Sequence, residues 1–398
     1  MSRKLLFIVN EAGYFAPHRL PHARAAREAG WEVAIASAPG PAQQRLRDAG
    51  FAVHDLPLTR AGLRPDRELR AVAAAWRLIR RLRPDLVHCI ALKAAVAGGL
   101  AARLARAPAL VISIAGLGHV FTDPSATGRL LRLMLSGLIP LLVSRRSRVI
   151  VQNEDDLERL TSSATLRARA LLIPGAGVDL KAFSPRPEPD GPPCVLLASR
   201  MIWKKGVGEF VEAARRLRAE DPQLRFRLAG DSDPGNPAAI ARAQLAAWHE
   251  EGAVEWLGQR DDMAALIAAS HVFCLPSRYG EGVPKSLIEA AAAGRALVTT
   301  DMPGCRDIVR DDENGLLVPP GDVEALTAAL GRLLADPALR RRLGARGREI
   351  ACERFGLKDI VKATLAVYDE LVLEPRQDDR SSAGAAANAG SGGQMTRP

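Results

Sequence analysis

The sequence predicts an α/β protein with two doubly wound domains, each built on a parallel sheet, that face each other across a cleft. Short apolar runs, typical of buried parallel strands, alternate with helical segments before residue 183 and again from residue 194. Residues 184–193 (SPRPEPDGPP) contain five prolines and are typical of an interdomain linker. Ligands of such sheets bind beyond the carboxyl ends of the strands, so we expect the site between the domains.

The composition indicates a chain with two cores and a basic surface. Of the 398 residues, 47% are apolar, and 55 basic against 45 acidic residues give a net charge of +10. This surplus favours anionic partners (nucleotides, nucleic acid or anionic lipid headgroups), and a genome that favours arginine codons explains it equally well. Five scattered cysteines without a C-x-x-C indicate buried thiols in a reducing compartment. The apolar run in MSRKLLFIVN is short for a signal peptide, and no run of about 20 apolar residues predicts a spanning helix.

In the amino-terminal series, a helix followed by Ala-Gly, an aromatic residue, any residue and Val occurs twice, ending at 29–33 and 49–53. This is typical of βαβ units in which glycine closes each helix. A glycine-bearing loop, NEAGYFAPHR, is expected after the first strand. Helices are expected over 66–83, 92–106 and 125–148. The predicted strands are 5–9, 31–37, 51–56, 85–91, 110–116, 149–153 and 171–179.

The carboxyl-terminal series repeats this alternation. Its predicted strands are 194–199, 226–230, 254–258, 272–277 and 296–300, and GLLVPPGD (315–322) is interpreted as a turn region. Helices are expected over 322–335, 337–354 and 357–373. We therefore divide the chain into domains at 1–183 and 194–355, with residues 356–373 as a helix that packs back toward the first domain. The Ser/Ala/Gly/Asn-rich residues 374–398 are expected to be disordered.

One loop and helix, PSRYGEGVPKSLIEAAAAG (276–294), carries two carboxylates and a helix start. Glu281 lies in the loop, and Glu289 lies about one and a half turns into the helix. Pro284 suits the first helical position, because its missing N–H would have no partner there. The exposed amides of a helix start bind anions. Acceptors for sugar hydroxyls and donors for a phosphate in one loop suit a nucleotide-sugar.

Two cations follow the strand CVLLAS. Arg200 comes directly after the strand, and Lys205 stands five residues later, before Gly206 and the next helix. Two positive charges at a strand end beside a helix start can clamp a diphosphate and stabilise the charge that develops as it leaves.

With these features the chain resembles the retaining glycosyltransferases of family 4, which have the GT-B fold of two Rossmann-like domains. The resemblance covers roughly residues 4–373. In this family the amino-terminal domain binds the acceptor and the carboxyl-terminal domain binds the nucleotide-sugar. The opening NEAGYFAPHRLPHARAAREAGWEV is similar to a subgroup that acts on polyprenyl-diphosphate-linked glycans. The matching segments are Arg200-x4-Lys205-Gly206, Glu281-x7-Glu289, GDSDPGNP (230–237), EWLGQRDDM (255–263), AGRALVTTDMPGCRDIV and ENGLLVPPGD.

The resemblance implies a role for each matching position. Arg200 and Lys205 would hold the diphosphate, Glu281 would bind hydroxyls of the transferred sugar, and these three would be catalytic. Glu289 would accept from the ribose hydroxyls. Gly13 would let the first loop approach the diphosphate. The other implied donor contacts are Gly282, Val283 and Pro284 on the sugar or phosphate, and Gly258, Gln259 and Arg260 beside the base. The family pattern is P-S-x-x-E, and the extra Gly280 makes this loop one residue longer.

Several family members carry a histidine at the end of the fourth strand of the first domain, near the reacting sugar. His119 lies several residues beyond that place, and we take His119 and His18 as candidate catalytic residues. His18 and Arg19 are candidates for acceptor binding, Arg19 through a phosphate. His22, His54 and His249 are interpreted as structural or solvated.

Asp231-Ser232-Asp233 has the D-x-D spacing of metal-dependent transferases. The Arg200 and Lys205 clamp already supplies the positive charge that a metal would bring, so we expect no metal, and no cofactor besides the nucleotide-sugar. Retention of configuration is implied by the resemblance, and no residue stands out as a glycosyl nucleophile. A front-face displacement, in which the leaving phosphate oxygen takes the acceptor proton, fits these residues.

We therefore expect transfer of a hexose or N-acetylhexosamine from a nucleotide-sugar, in the first place a UDP-sugar, to a lipid-linked saccharide in bacterial surface polysaccharide synthesis. The alternatives are a GT-B sugar-nucleotide epimerase and a non-catalytic nucleotide- or anion-binding protein. Few aromatic residues and no nucleic-acid motif argue against nucleic acid. Arginines are concentrated in 60–83 and 129–148, which favours peripheral attachment to the anionic inner face of the plasma membrane, on the cytoplasmic side.

Overall fold

The chain folds around two parallel sheets, described from a computed structural model for residues 2–59, 64–114, 116–117, 126–161, 163–233 and 235–373. The amino-terminal sheet contains β1 (Arg3–Glu11), β2 (Trp31–Ala38), β3 (Ala52–Asp55), β4 (Leu86–Ile90), β5 (Ala109–Ile114), β6 (Ser147–Val151) and β7 (Ala170–Leu172). Their order across the sheet is β3-β2-β1-β4-β5-β6-β7. All six pairings between these neighbours are parallel.

The carboxyl-terminal sheet is also parallel. It contains β8 (Cys194–Ala198), β9 (Arg225–Ala229), β10 (Glu255–Trp256), β11 (Val272–Leu275), β12 (Ala296–Thr300) and β13 (Gly315–Val318). The strand order is β10-β9-β8-β11-β12-β13. The predicted architecture of two doubly wound parallel-sheet domains is confirmed.

Helices connect the strands and cover the sheets. In the first half they are α1 (Ala12–Glu28), α2 (Ala42–Asp48), α3 (Pro65–Leu82), α4 (Leu92–Ala105), α5 (Ala126–Leu142), α6 (Glu154–Thr161) and α7 (Ala164–Arg167). In the second half they are a 3-10 turn (Trp203–Lys205), α8 (Val207–Glu220), α9 (Arg242–Glu250), α10 (Met263–Ala268), α11 (Lys285–Ala292), α12 (Val323–Ala335), α13 (Pro337–Arg354) and α14 (Leu357–Leu373). Within the described ranges, no helix is both long and apolar enough to cross a bilayer.

The central strands are mostly apolar because both faces of each sheet are covered. On β1, Leu6 and Ile8 pack with α3, α4 and α5, whereas Leu5 and Phe7 pack with α1, α2 and α14. All four side chains are at most 1% exposed. Alternate residues of one strand therefore belong to two separate cores.

Two elements differ in kind from the sequence prediction, and the helix predicted over 125–148 and the strand predicted over 171–179 end earlier, at Leu142 and Leu172. The segment 315–318, interpreted as a turn, is β13, which pairs with β12 through backbone groups. A Cβ on Gly315 would lie 2.8 Å from the Leu297 carbonyl oxygen, so glycine permits this close pairing. The glycine-bearing loop expected after β1 is instead the start of α1, because Phe15 and Leu20 bury against the sheet despite two prolines in the helix.

The last helix, α14, follows the carboxyl-terminal sheet in sequence but lies on the amino-terminal one. Tyr368 Oη and His88 Nδ1 on β4 are 2.6 Å apart, and the Tyr368 ring meets Trp31 edge-on. Both Tyr368 and His88 are at most 1% exposed. Arg3 on β1 forms an ion pair with Asp369. The amino-terminal core is therefore completed by the carboxyl-terminal residues of the fold.

The carboxyl ends of both sheets face the same region between the domains. The loop after β11 (276–284) contacts the loop after β12, through Glu281 N–H donating to Pro303 O at 3.1 Å. It also contacts the ends of β5 and β6 in the other domain. Side chains that follow different strands are thereby brought together.

Candidate active site

Glu281 lies in the loop after β11, and two side chains of the same domain hold its carboxylate. Lys205 Nζ donates to one oxygen, and Ser277 Oγ donates to the other at 2.6 Å. The Glu281 side chain is 12% exposed, so part of it remains open to a ligand. The loop with the extra Gly280 thus still brings Glu281 onto Lys205.

Lys205 ends the 3-10 turn after β8, and Gly206 closes that turn. Gly206 has a φ of +73°, and a Cβ there would lie 1.9 Å from the Pro276 carbonyl oxygen, so glycine is required. Burial lowers the pKa of Lys205, but the Glu281 carboxylate and Tyr279 together outweigh this and raise the pKa above its usual value. Lys205 is therefore a cation throughout the neutral pH range.

Arg200, the second cation of the predicted clamp, lies just beyond β8 with half of its side chain exposed. Its Nη1 donates to Asp233 at 2.9 Å. The other carboxylate of the D-x-D sequence, Asp231, accepts from Arg242 Nε at 2.9 Å. Both carboxylates thus have guanidinium partners, while the absence of a metal stays a prediction.

Glu289 is buried on α11 and accepts from Lys285 Nζ, four residues earlier on the same helix. Burial raises the pKa of Glu289, and the Lys285 charge opposes that rise. The helix begins at Lys285, and Pro284 is its N-cap with a ψ of 117°, so Pro284 precedes the first helical position predicted for it. The predicted contact between Glu289 and a ribose stays a prediction.

The backbone predicted to touch the sugar or phosphate is already engaged in part. Val283 N–H donates to Gln152 Oε1 of the other domain at 3.2 Å, and Pro284 has no N–H. Gly282 is covered by Gly304, whose Cβ would lie 1.6 Å from the Gly282 carbonyl oxygen. The Val283 amide is therefore occupied within the protein in this arrangement, and contacts of Gly282, Val283 and Pro284 with a donor stay a prediction.

The loop predicted to face the base follows the short strand β10. Gly258 has a φ of +66°, and its carbonyl accepts from Gly230 N–H at 2.7 Å, which ties it to the loop after β9. Gln259 and Arg260 are exposed, and Arg260 Nε donates to Asp262 at 2.8 Å. The loop follows the outermost strand of the carboxyl-terminal sheet, the same sheet whose strand ends carry Arg200, Lys205 and Glu281. Its contact with a base stays a prediction.

His18 on α1 lies at the cleft, near Lys285 and Lys205 of the carboxyl-terminal domain. Burial, helped by the positive charges of Lys285 and Lys205 on the other domain, lowers the pKa of His18 to about 4. Its Nδ1 lies 3.0 Å from the Tyr14 carbonyl oxygen, which makes Nδ1 the donor, and its ring stacks on Tyr14 at 4.4 Å. Neutral His18 therefore presents Nε2 as a hydrogen-bond acceptor.

Arg19 does not fit its predicted contact with an acceptor phosphate. Its side chain is buried at 2% exposure beneath α1, where Nη1 donates to His22 Nε2 at 3.2 Å. The helical start of α1 causes this, because successive helix residues point to different sides and His18 takes the cleft side.

The two remaining predicted residues lie on the amino-terminal side. Gly13 is exposed in the first turn of α1, and a Cβ there would meet Ala42 Cβ at an ordinary 3.8 Å. The protein thus does not itself require glycine at this position, and close approach of a diphosphate stays its predicted reason. His119 lies outside the described residues.

Sequence reasoning missed four residues of this site. Ser277 orients Glu281, and Tyr279 places its ring 5.8 Å from Lys205 Nζ. Gln152 and Asn153 contact the Glu281 loop from the end of β6. The sequence did contain a signal for Gln152 and Asn153. Both are polar residues directly after an apolar strand, at the sheet edge where ligands bind.

Two family models match this chain. Residues 4–153 match "Glycosyl transferase 4-like", and residues 192–336 match "Glycosyl transferases group 1". A relative from Campylobacter jejuni, N,N'-diacetylbacillosaminyl-diphospho-undecaprenol alpha-1,3-N-acetylgalactosaminyltransferase, is 29% identical over 367 residues, which is 89% of this chain and 95% of the relative.

Solved structures agree on the fold. A glycosyltransferase from Rickettsia africae has a TM-score of 0.74 at 17% identity, covering 94% of this chain and 100% of its own. HepE of Anabaena, solved in complex with UDP and glucose, has a TM-score of 0.74 at 20% identity, covering 92% and 99%. With two matched domains that span well over half of its length, the chain belongs to the GT-B glycosyltransferases, with a glycosyl transferase 4-like domain followed by a group 1 domain.

Proposed function

We propose that this glycosyltransferase moves a hexose or N-acetylhexosamine from a UDP-sugar to a lipid-linked saccharide, with retention of configuration and without a metal. The observation that carries the proposal is the placement of Glu281 between Lys205 and Ser277 at the domain interface. The name of the Campylobacter relative describes a sugar on diphospho-undecaprenol, and HepE was solved with UDP, which supports the substrate classes.

Residues 194–355 would bind the donor, and residues 1–183 would bind the acceptor. The donor diphosphate would share the cations that now pair with protein carboxylates, Lys205 with Glu281 and Arg200 with Asp233. As Lys205 turns to the diphosphate, Glu281 gains capacity to accept from hydroxyls of the sugar. Donor binding and exposure of the sugar-binding carboxylate are thereby coupled.

Transfer would proceed on one face of the sugar. The acceptor oxygen bonds to the anomeric carbon as the bond to the phosphate oxygen breaks, and that phosphate oxygen takes the acceptor proton. Lys205 and Arg200 stabilise the charge on the leaving diphosphate. His18 offers its neutral Nε2 on the acceptor side. Metal independence is supported by the guanidinium partners of Asp231 and Asp233.

The function is tested by nucleotide release from a panel of UDP- and GDP-sugars, with and without a polyprenyl-diphosphate-linked saccharide. We expect UDP release that depends on this acceptor and is unchanged by EDTA. A sugar-nucleotide epimerase would instead convert the donor without an acceptor. Loss of activity in EDTA would contradict metal independence, and inactivity with every donor and acceptor would overturn the proposed function.

We also propose that the outer layer of α3, α4 and α5 rests on an anionic membrane on the cytoplasmic side. The layer exposes large apolar side chains: Leu69 at 68%, Trp76 at 38%, Leu104 at 59% and Leu141 at 70%. Exposed arginines accompany them, including Arg70, Arg77, Arg80 and Arg103. An apolar and basic surface of this kind suits anionic headgroups with shallow insertion.

Sedimentation with phosphatidylglycerol vesicles and phosphatidylcholine vesicles tests this surface. We expect binding to the anionic vesicles at low salt, reduced about 10-fold in a Leu69→Ser/Trp76→Ala variant, since shallow apolar insertion contributes strongly. Leu373→Ser is the control, because Leu373 is 74% exposed on α14 at the opposite face of the sheet. No binding to anionic vesicles, or equal losses in both variants, would contradict the proposed surface.

A further inference from the structure

We propose that Asn153, in the amino-terminal domain, is the positioning residue that sets Glu281 for sugar transfer, so that closure of the two domains and assembly of the acidic site are one event. This inference rests on the proposed function, since it concerns the orientation of the sugar-binding carboxylate. Asn153 itself touches neither the carboxylate nor the cation clamp; it acts through the Glu281 backbone.

The contact joins the two domains at the catalytic loop. Asn153 Nδ2 donates to the Glu281 carbonyl oxygen at 2.8 Å, and Asn153 is completely buried. The Glu281 N–H donates to Pro303 O on its own domain. The backbone of Glu281 is thus held on one side by the donor domain and on the other side by the acceptor domain.

Asn153 is itself fixed by α6. Its Oδ1 accepts from Asp156 N–H at 2.7 Å, which caps the helix, and its Nδ2 also donates to Asp156 Oδ2 at 3.0 Å. The same Asp156 oxygen accepts from Leu117 N–H at 2.9 Å. The ends of β5 and β6 are therefore tied together behind the amide that reaches Glu281.

Backbone packing adds to this hydrogen bond. Gly116 has a φ of +97°, and a Cβ on it would lie 2.4 Å from Gly282 N and 2.6 Å from Glu281 C. Gln152 accepts from Val283 N–H beside it. Three positions of the amino-terminal domain thus press on residues 281–283, and a separation of the domains would release all three contacts together.

The cap and the interdomain bond can be separated by substitution. Asn153→Ser keeps a strong helix cap but has no amide to reach Glu281. Asp155→Asn is the matched control: it removes the interdomain ion pair of Asp155 with Arg306, whose charged atoms are 3.8 Å apart, and leaves the Asn153 side chain in place. General loosening of the interface affects both variants, whereas loss of positioning affects only the first.

Hydrogen exchange of the full chain gives a readout that does not require activity. We expect the Glu281 and Val283 amides to exchange about 10-fold faster in Asn153→Ser, while the amides of α6 exchange as in wild type. In Asp155→Asn we expect wild-type exchange at both sets of amides. Equal exchange at 281–283 in wild type and Asn153→Ser would overturn the proposal, and it would do so whether or not a donor has been identified.

Kinetics test the route through Glu281. In the wild-type background, Asn153→Ser is expected to lower kcat about 10-fold and to leave UDP affinity unchanged. In a Glu281→Gln background, the same substitution is expected to lower kcat by less than about twofold. Additive losses in the double variant would show that Asn153 acts independently of Glu281 and would overturn the proposal. Asp155→Asn is expected to retain wild-type kcat. If wild type itself transfers no sugar, the proposed function fails, while the exchange result still decides the role of Asn153.

Discussion

Glu281→Gln is expected to lower kcat roughly 100- to 1,000-fold, the cost usually observed when one transition-state hydrogen-bond partner is lost. Glutamine keeps the shape of the side chain but removes the charge that Lys205 and Ser277 now balance. Charged acceptors form the stronger hydrogen bonds with sugar hydroxyls, and the buried Lys205 would lose its counterion. The measurement is acceptor-dependent UDP release at saturating donor, with UDP affinity from calorimetry.

Glu209→Gln is the control for this variant. Glu209 forms an ion pair with Arg278 of the same loop at 3.2 Å, and its side chain is 13% exposed, against 12% for Glu281. Glu209 lies outside the proposed site, so we expect kcat to change by less than about threefold. Substitutions away from a binding site or a tightly packed core usually have small effects. Wild-type activity in Glu281→Gln would defeat the assignment of the acidic loop as the sugar site.

Lys205→Met is expected to lower kcat/KM roughly 100- to 1,000-fold and to weaken UDP binding about 10-fold or more, because it removes a fixed cation from a water-poor site. Methionine preserves the length of the apolar stem. The raised pKa of Lys205 means that its charge does not titrate in the neutral range. We therefore expect the activity ratio between wild type and variant to stay constant between pH 6 and pH 8.

Lys204→Met removes the same charge from the same turn and serves as the control. Its expected effect on kcat/KM is less than about threefold, because its neighbour and not Lys204 meets Glu281. The two central variants also differ from each other. We expect Lys205→Met to weaken the binding of UDP itself. We expect Glu281→Gln to leave UDP affinity nearly unchanged, because the proposed contact of Glu281 is with the sugar. Equal UDP affinity in wild type and Lys205→Met would contradict the diphosphate clamp.

The sequence was most informative where chemistry depends on strand ends. The sequence predicted that Arg200, Lys205 and Glu281 lie at the same edge of one sheet, because all three follow parallel strands, whose carboxyl ends meet there. The Lys285 and Glu289 pair, at the i,i+4 spacing of a helix, was also predictable but was not considered. The strand β13 was missed because four residues beside two prolines carry little periodic signal.

Other features depend on tertiary packing, which local patterns do not record. Arg19 is buried although arginine is mostly exposed in proteins, since α1 starts earlier than its glycine and prolines suggest. The contact from Asn153 to Glu281 joins residues 128 apart in sequence. It depends on the relative placement of two domains, and no single-segment pattern contains that information.

The position of α14 has a consequence for how such enzymes can recombine. Its residues 357–373 follow the carboxyl-terminal domain in sequence, yet Tyr368 completes the core under β1 and β4 of the amino-terminal domain. A single crossover near residue 194 would join a foreign carboxyl-terminal half to the native amino-terminal sheet, but it would also import a foreign covering helix. Chimaeras that exchange donor specificity should therefore use two junctions, one near 194 and one near 356, and keep the last helix with the sheet it covers.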